Sequence, residues 1–294
     1  MDAPPELENC RPFVQVARLM KDAGLLVPDI LSWSPPQGFM LLGDLGRQTM
    51  MQQIEPLDPP ANSVLYQRAI AALIQWQLSS RPAVLPAYDA NLLRRELELF
   101  PQWYLGQYKA IVVEGKLRQT LDQIFELLIA ENLRWPSVFV HRDFMPRNLM
   151  VPESSSENRL GVLDFQDAVF GPITYDIASL MRDAFLSWDE AFILDITIRY
   201  WHNARLKGLP VGDDFGAFYR GVEWMGLQRH LKVAGIFARL SLRDGKPQYL
   251  ADTPRFIQYV RSCASRYSEL KPLLYLINEI EGIVEPGGFA FGRI

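Results

Sequence analysis

The chain has 294 residues, 49% of them hydrophobic and 22% charged, with a formal net charge of -4 at pH 7. That is more than one average domain's worth of ordinary globular sequence, and it excludes a disordered or fibrous protein. No Lys/Arg-rich block is present to meet a phosphate backbone and no run of about 18 apolar residues to cross a bilayer, so neither nucleic acid nor membrane is an expected partner.

Cys10 and Cys263 stand alone, without the spacing of a disulfide framework or a zinc site. Asp2, Glu6 and Glu8 stand where a secretory leader would be basic. A cytoplasmic monomer acting on a small molecule is the expectation.

In chain order, Phe13, Val16, Ala17, Leu19 and Met20 recur at helical spacing between Arg11 and Ala23, and Gly24 supplies a stop. Leu26 to Trp33 and Phe39 to Leu42 read as a strand pair around Ser34-Pro35-Pro36-Gln37-Gly38. Beyond Pro59-Pro60, the stretches Ser63 to Leu78, Asn91 to Tyr104 and Leu117 to Glu131 read as helices. Val138 to Val140 and Leu160 to Leu163 are short apolar runs separated by a polar turn, Pro152 to Asn158, and the chain past Tyr175 reads mostly as helix. The expected organisation is a small strand-bearing lobe over residues 1–46 and a helical lobe over 47–294.

The chemistry is concentrated between those two apolar runs. His141-Arg142-Asp143-Phe144-Met145-Pro146-Arg147-Asn148 is followed by Leu163-Asp164-Phe165. Phosphoryl transfer needs an oriented acceptor hydroxyl and a magnesium ion to neutralise phosphate charge, and little covalent chemistry from the protein. In this spacing Asp143 suits the base, while Asn148 and Asp164 offer the hard oxygen atoms that Mg2+ takes. Taken singly, each of these residues could equally cap a turn or end a strand.

Val140 to Val151 together with Gly161-Val162-Leu163-Asp164-Phe165-Gln166-Asp167-Ala168 resembles the aminoglycoside phosphotransferase-like family. Phe144-Met145-Pro146-Arg147-Asn148-Leu149-Met150, Met1-Asp2-Ala3-Pro4-Pro5 and Leu41-Leu42-Gly43-Asp44-Leu45-Gly46 are most similar to its branch of bacterial anomeric amino-sugar kinases. The resemblance implies an α+β, protein-kinase-like two-lobed fold with a small, here incomplete, N-terminal lobe. It also implies ATP and Mg2+ as cofactors, with the C1 hydroxyl of N-acetylmuramate or N-acetylglucosamine as acceptor.

By the same resemblance Leu42, Gly43, Asp44 and Leu45 form the hinge that meets adenine, and His141 and Asp176 brace the catalytic loop. Gln166 stands where protein kinases carry the glycine of Asp-Phe-Gly, and no activation-loop segment follows, which favours a small acceptor over a protein. Left open are another small-molecule kinase of this fold (aminoglycoside, choline or homoserine) and a catalytically silent kinase-shaped binding protein.

In this superfamily a glycine-rich hairpin covers the phosphates and a strand lysine contacts them. No glycine precedes Gly24 and Lys21 falls inside the expected helix, so neither part is assigned. The expectation is a sequence that starts late rather than a genuinely shortened enzyme, and a chain that, as written, binds ATP poorly. Tight magnesium-ATP binding by calorimetry would refute it.

Candidate acceptor contacts are Arg147 in the loop and Glu223, Arg229 and His230 in a helix over Gly221 to Leu240. There Met225, Arg229, Lys232, Ile236 and Arg239 share a side, partly basic, that could meet a sugar carboxylate.

Overall fold

The computed structural model describes residues 1–6, 8–55, 57–153 and 157–284. The serines at 154–156, inside the expected polar turn, lie outside the described residues. Two compact units interleave along the chain, Met1–Ala90 with Glu131–Gly226, and Asn91–Ala130 with Leu227–Ile294.

In the first unit, helix α1 (Arg11–Asp22) buries Phe13, Val14, Val16, Ala17 and Met20, the stripe its spacing requires. It stops where Gly24, at φ +81°, donates to the Lys21 carbonyl. Strands β1 (Ile30–Ser34) and β2 (Phe39–Leu42) pair antiparallel around the expected turn. Gly38 is required there twice over: its φ is +71°, and a Cβ would lie 2.0 Å from the Ala3 carbonyl oxygen.

Beyond the hinge come β3 (Gln48–Thr49) and α2 (Met50–Gln53), which Thr49 and Gln52 open with a reciprocal capping box. Helix α3 (Pro59–Leu78), capped by Asp58, buries Tyr66, Leu73 and Trp76. Its Trp76 ring lies 4.8 Å from Phe139 of β4 (Ser137–Val140). Strands β5 (Leu149–Val151), β6 (Gly161–Val162) and β7 (Val169–Pro172) follow, then helices α6 (Thr174–Met181), α7 (Glu190–Leu206) and the start of α8 (Phe215–Leu242).

The strand pairing differs from a simple bracket around the motif. The two apolar runs do not pair with each other: β4 pairs with β7, and β6 joins a three-stranded sheet ordered β3-β5-β6. That sheet sets the site, because it ties the strand leaving the hinge to the strand leaving the catalytic loop and to the one entering Asp164.

The second unit holds most of α4 (Ala90–Leu97), a π-helix over Phe100–Tyr108, most of α5 (Gly115–Leu133), the rest of α8, α9 (Thr253–Arg266) and α10 (Lys271–Glu281). The helix expected over Asn91 to Tyr104 is thus two segments. Pro101 has no N–H to donate to the preceding turn, and the chain widens until Lys109 N–H reaches the Tyr104 carbonyl at 3.0 Å.

Within this unit a Cβ on Gly235 would lie 2.4 Å from the Leu99 carbonyl, so α8 approaches that segment backbone to backbone. Among the described residues no helix is long and apolar enough to cross a membrane.

Candidate active site

The catalytic loop hangs from a buried carboxylate. Asp176, fully buried in the first turn of α6, accepts the backbone N–H of His141 on Oδ2 (2.7 Å) and that of Arg142 on Oδ1 (3.0 Å). These two bonds from consecutive backbone N–H groups, beside a helix N-terminus, hold the loop in place.

His141 is fully buried too; its Nδ1 accepts the Asp143 N–H at 3.2 Å and its Nε2 faces the Leu163 carbonyl at 2.9 Å. Both contacts are satisfied by the neutral ring with its proton on Nε2. Burial pushes the histidine pKa below its ordinary value, against the pull of Asp143 and Asp164.

Asn148 closes the arrangement. Its Nδ2 donates to the Asp143 carbonyl at 2.9 Å and to Asp164 Oδ2 at 3.3 Å, and its own carbonyl accepts Leu163 N–H at 2.9 Å. The Asp143, Asn148 and Asp164 predicted from spacing are therefore brought together. Gln166, which replaced the expected glycine, donates to Asp164 Oδ1 at 2.9 Å, a role the spacing gave no sign of. Phe165 stacks on Phe13 of α1 at 4.8 Å, anchoring the segment after β6 to that helix. Arg142 and Asp164 both sit in the left-handed region, at φ +76° and +63°.

The donor set fits magnesium. The Asn148 nitrogen is engaged with protein, while its side-chain oxygen accepts no hydrogen bond among the described residues. Each Asp164 oxygen accepts only one hydrogen bond from a side chain and keeps a lone pair. Among the described residues no group of three His, Cys, Asp or Glu gathers to hold a metal, so the pair suits an ion whose remaining positions go to water and phosphate.

The segment expected to serve as hinge, Leu42 to Leu45, runs directly off β2. Gly43 N–H donates to the Asp29 carbonyl (2.8 Å) and Gly46 N–H to Asp44 Oδ1 (2.9 Å). Leu45 packs on Gly161, where an added Cβ would lie 2.7 Å from Leu45 Cδ1. The Leu42 to Leu45 segment and β6 therefore touch.

The acceptor residues fare differently. Arg147 is exposed in the 3-10 turn Pro146–Asn148, with its guanidinium carbon 4.8 Å from the Phe185 ring. Glu223 is buried against Arg182 in the first unit. Arg229 and His230 belong to the second unit and are also buried, His230 stacked 4.6 Å from Tyr259. Lys232 is neutralised by Glu96 at 2.9 Å.

The expected basic stripe on α8 is thus no open basic face. Periodicity located one side of the helix, but that side is packed. Phe185, from the loop after α6, is a neighbour of the site that no sequence signal marked.

Asp143, Asn148 and Asp164, gathered on loops that follow strands of two small sheets in a mostly helical chain, match the architecture of a kinase-like phosphotransferase. The chain belongs to the phosphotransferase enzyme family, whose profile matches residues 1–210. It is 49% identical over 273 residues to an N-acetylmuramate/N-acetylglucosamine kinase of Pseudomonas aeruginosa, covering 93% of this chain and 79% of that protein. A kinase of the same description from Neisseria meningitidis is 45% identical, covering 99% and 86%. Among solved structures, an ADP-bound aminoglycoside phosphotransferase shares the fold with a TM-score of 0.56, at 14% identity over 85% of this chain and 81% of the other.

Proposed function

We propose that this protein transfers the γ-phosphoryl group of ATP, with magnesium, to the anomeric hydroxyl of N-acetylmuramate and N-acetylglucosamine, the amino sugars of cell-wall recycling. The observation that supports the chemistry is the Asn148 bridge, 2.9 Å to the Asp143 backbone carbonyl and 3.3 Å to Asp164 Oδ2, which links the three residues read here as base and metal ligands. The identity of 49% to a kinase for these two sugars supports the acceptor.

In this reading Asp143 orients the C1 hydroxyl and takes its proton as the oxygen forms a bond to the γ-phosphorus. The β–γ bridging bond breaks and ADP leaves. Asn148 and Asp164 hold magnesium, which neutralises charge on the phosphate oxygens when bound. Leu42, Gly43, Asp44 and Leu45 receive adenine through backbone groups, and His141 and Asp176 keep the loop in register.

The test assays the full-length gene product for phosphate transfer from ATP to N-acetylmuramate, N-acetylglucosamine, kanamycin and choline. Both amino sugars are expected to be phosphorylated at C1, and transfer to neither would sink the acceptor assignment. Asp143→Asn preserves volume and removes the base. Its turnover should fall about 100- to 10,000-fold with an unchanged melting curve, and retained turnover would overturn the role of Asp143.

A further inference from the structure

Arg147 differs from a group of first-unit arginines that carboxylates neutralise. Arg134, Arg159, Arg182, Arg199 and Arg205 each pair with an Asp or Glu within 3.1 Å. Arg147 is exposed beside Asn148 in the catalytic loop, and among the described residues no carboxylate pairs with it. Its one partner is an aromatic face, that of Phe185, 4.8 Å from the guanidinium carbon.

Stacking of this kind fixes the plane of a guanidinium without neutralising its charge or using its N–H donors, all of which lie in that plane. The result is an oriented, unneutralised fork in the same loop as Asp143. Such a fork matches a carboxylate bidentately.

We propose that Arg147, held over the ring of Phe185, reads the carboxylate of the acceptor and sets this kinase's preference for N-acetylmuramate over N-acetylglucosamine. The assignment rests on the sugar-kinase reading above. The two sugars share the ring, the C1 hydroxyl and the acetamido group, and differ in the acidic lactyl ether that N-acetylmuramate carries on C3. With C1 at Asp143, a single cation elsewhere in the same loop is enough to tell one from the other. The helix expected to supply that cation does not, since Arg229 is buried and Lys232 is paired with Glu96. Phe185 is a positioning residue: it touches no substrate and acts by aiming Arg147.

The competing anion at such a loop is the phosphate of the nucleotide, and the two roles separate kinetically. Steady-state constants for both sugars and for ATP are measured on the full-length wild type and on Arg147→Gln, Arg147→Lys and Phe185→Leu, each checked by its melting curve. In Arg147→Gln the ratio of kcat/KM for N-acetylmuramate to that for N-acetylglucosamine should fall about 10- to 100-fold, the scale of one lost charged hydrogen-bonded pair. The loss should be carried by KM, because the lactyl group does not change in the reaction.

Arg147→Lys keeps the charge without the fork and should restore part of the ratio. Phe185→Leu should lower it partially, again through KM. An unchanged ratio in Arg147→Gln overturns the assignment. So does an equal loss on both sugars together with a raised KM for ATP, the signature of a phosphate contact. Wild type that phosphorylates neither sugar overturns the sugar-kinase reading itself, and this assignment with it.

Discussion

Two buried side chains determine how the catalytic loop stands. Asp176 receives consecutive N–H groups on its two oxygens, and an asparagine in its place has only one oxygen to offer and no charge. Asp176→Asn should cost about 2–4 kcal/mol by urea unfolding, from losing a charged buried bond and leaving an N–H unpaired. It should also lower kcat more than KM; wild-type values of both would refute the brace.

His141 carries a pH dependence of definite sign. The fold favours the neutral ring, while the unfolded chain titrates near the ordinary 6.5. Below that pH the unfolded state takes up a proton that the folded state resists, so this residue's contribution is full above about pH 7 and shrinks as pH falls through the window beneath 6.5. Thermal unfolding followed from neutral to about pH 5 should fall more steeply for wild type than for His141→Gln, and parallel curves would remove His141 as the cause.

At this scale Asp176 came only through the family resemblance, while the grouping of Asp143, Asn148 and Asp164 was legible from their spacing. Gln166 and Phe185 were not, because a contact across a loop leaves no periodic trace. Arg229 misled because three- and four-residue steps give an angle around a helix axis and not which side is packed.

Among the elements, the helices were readable, and of the small sheet only β6, inside the Leu160 to Leu163 run, was. Strands β3, β5 and β6 are two or three residues each, too short for alternation to register, and they exist because they pair with one another. The π-helix likewise follows from how a proline is accommodated rather than from the apolar pattern, which is the same as that of an α-helix.

The close approach of hinge and metal strand at Gly161 gives an element-scale prediction. A methyl group there meets Leu45 Cδ1 at 2.7 Å and Met150 Cβ at 3.1 Å. Gly161→Ala should cost about 1–3 kcal/mol of stability by overpacking. Because the displaced residue belongs to the hinge, ADP affinity by calorimetry should fall as well. A variant with wild-type stability and affinity would mean the hinge does not depend on this contact.

For the whole molecule, the decisive property is that the two units are interleaved. Residues matched by the family profile end at 210, which invites truncation once the first unit is complete. A chain ending after Gly226 would keep Leu93, Leu97, Phe100 and Leu121, all fully buried in the intact protein, but remove the second unit's other segment. The Tyr104 and Lys109 contacts to Glu281, and the Gln228 and Lys232 contacts to Glu96, would go with it.

Such a chain should aggregate or be cleaved between residues 91 and 130 in limited proteolysis. Soluble, cooperative unfolding of the 226-residue chain would show instead that the first unit is self-sufficient. Interleaving left no mark in composition, since both units carry amphipathic helices of the same kind.

The left-handed backbone at Arg142 and Asp164 has a consequence for how this protein can change over time. Glycine adopts that conformation freely, whereas a side chain there costs on the order of 1–3 kcal/mol. A lineage or a laboratory screen selected for thermal tolerance alone would gain by drifting to glycine at both positions, and at 164 that same step removes an oxygen donor proposed to hold magnesium. Robustness and phosphoryl transfer therefore pull on one codon in opposite directions, and any stabilising campaign on this scaffold has to keep turnover under selection throughout.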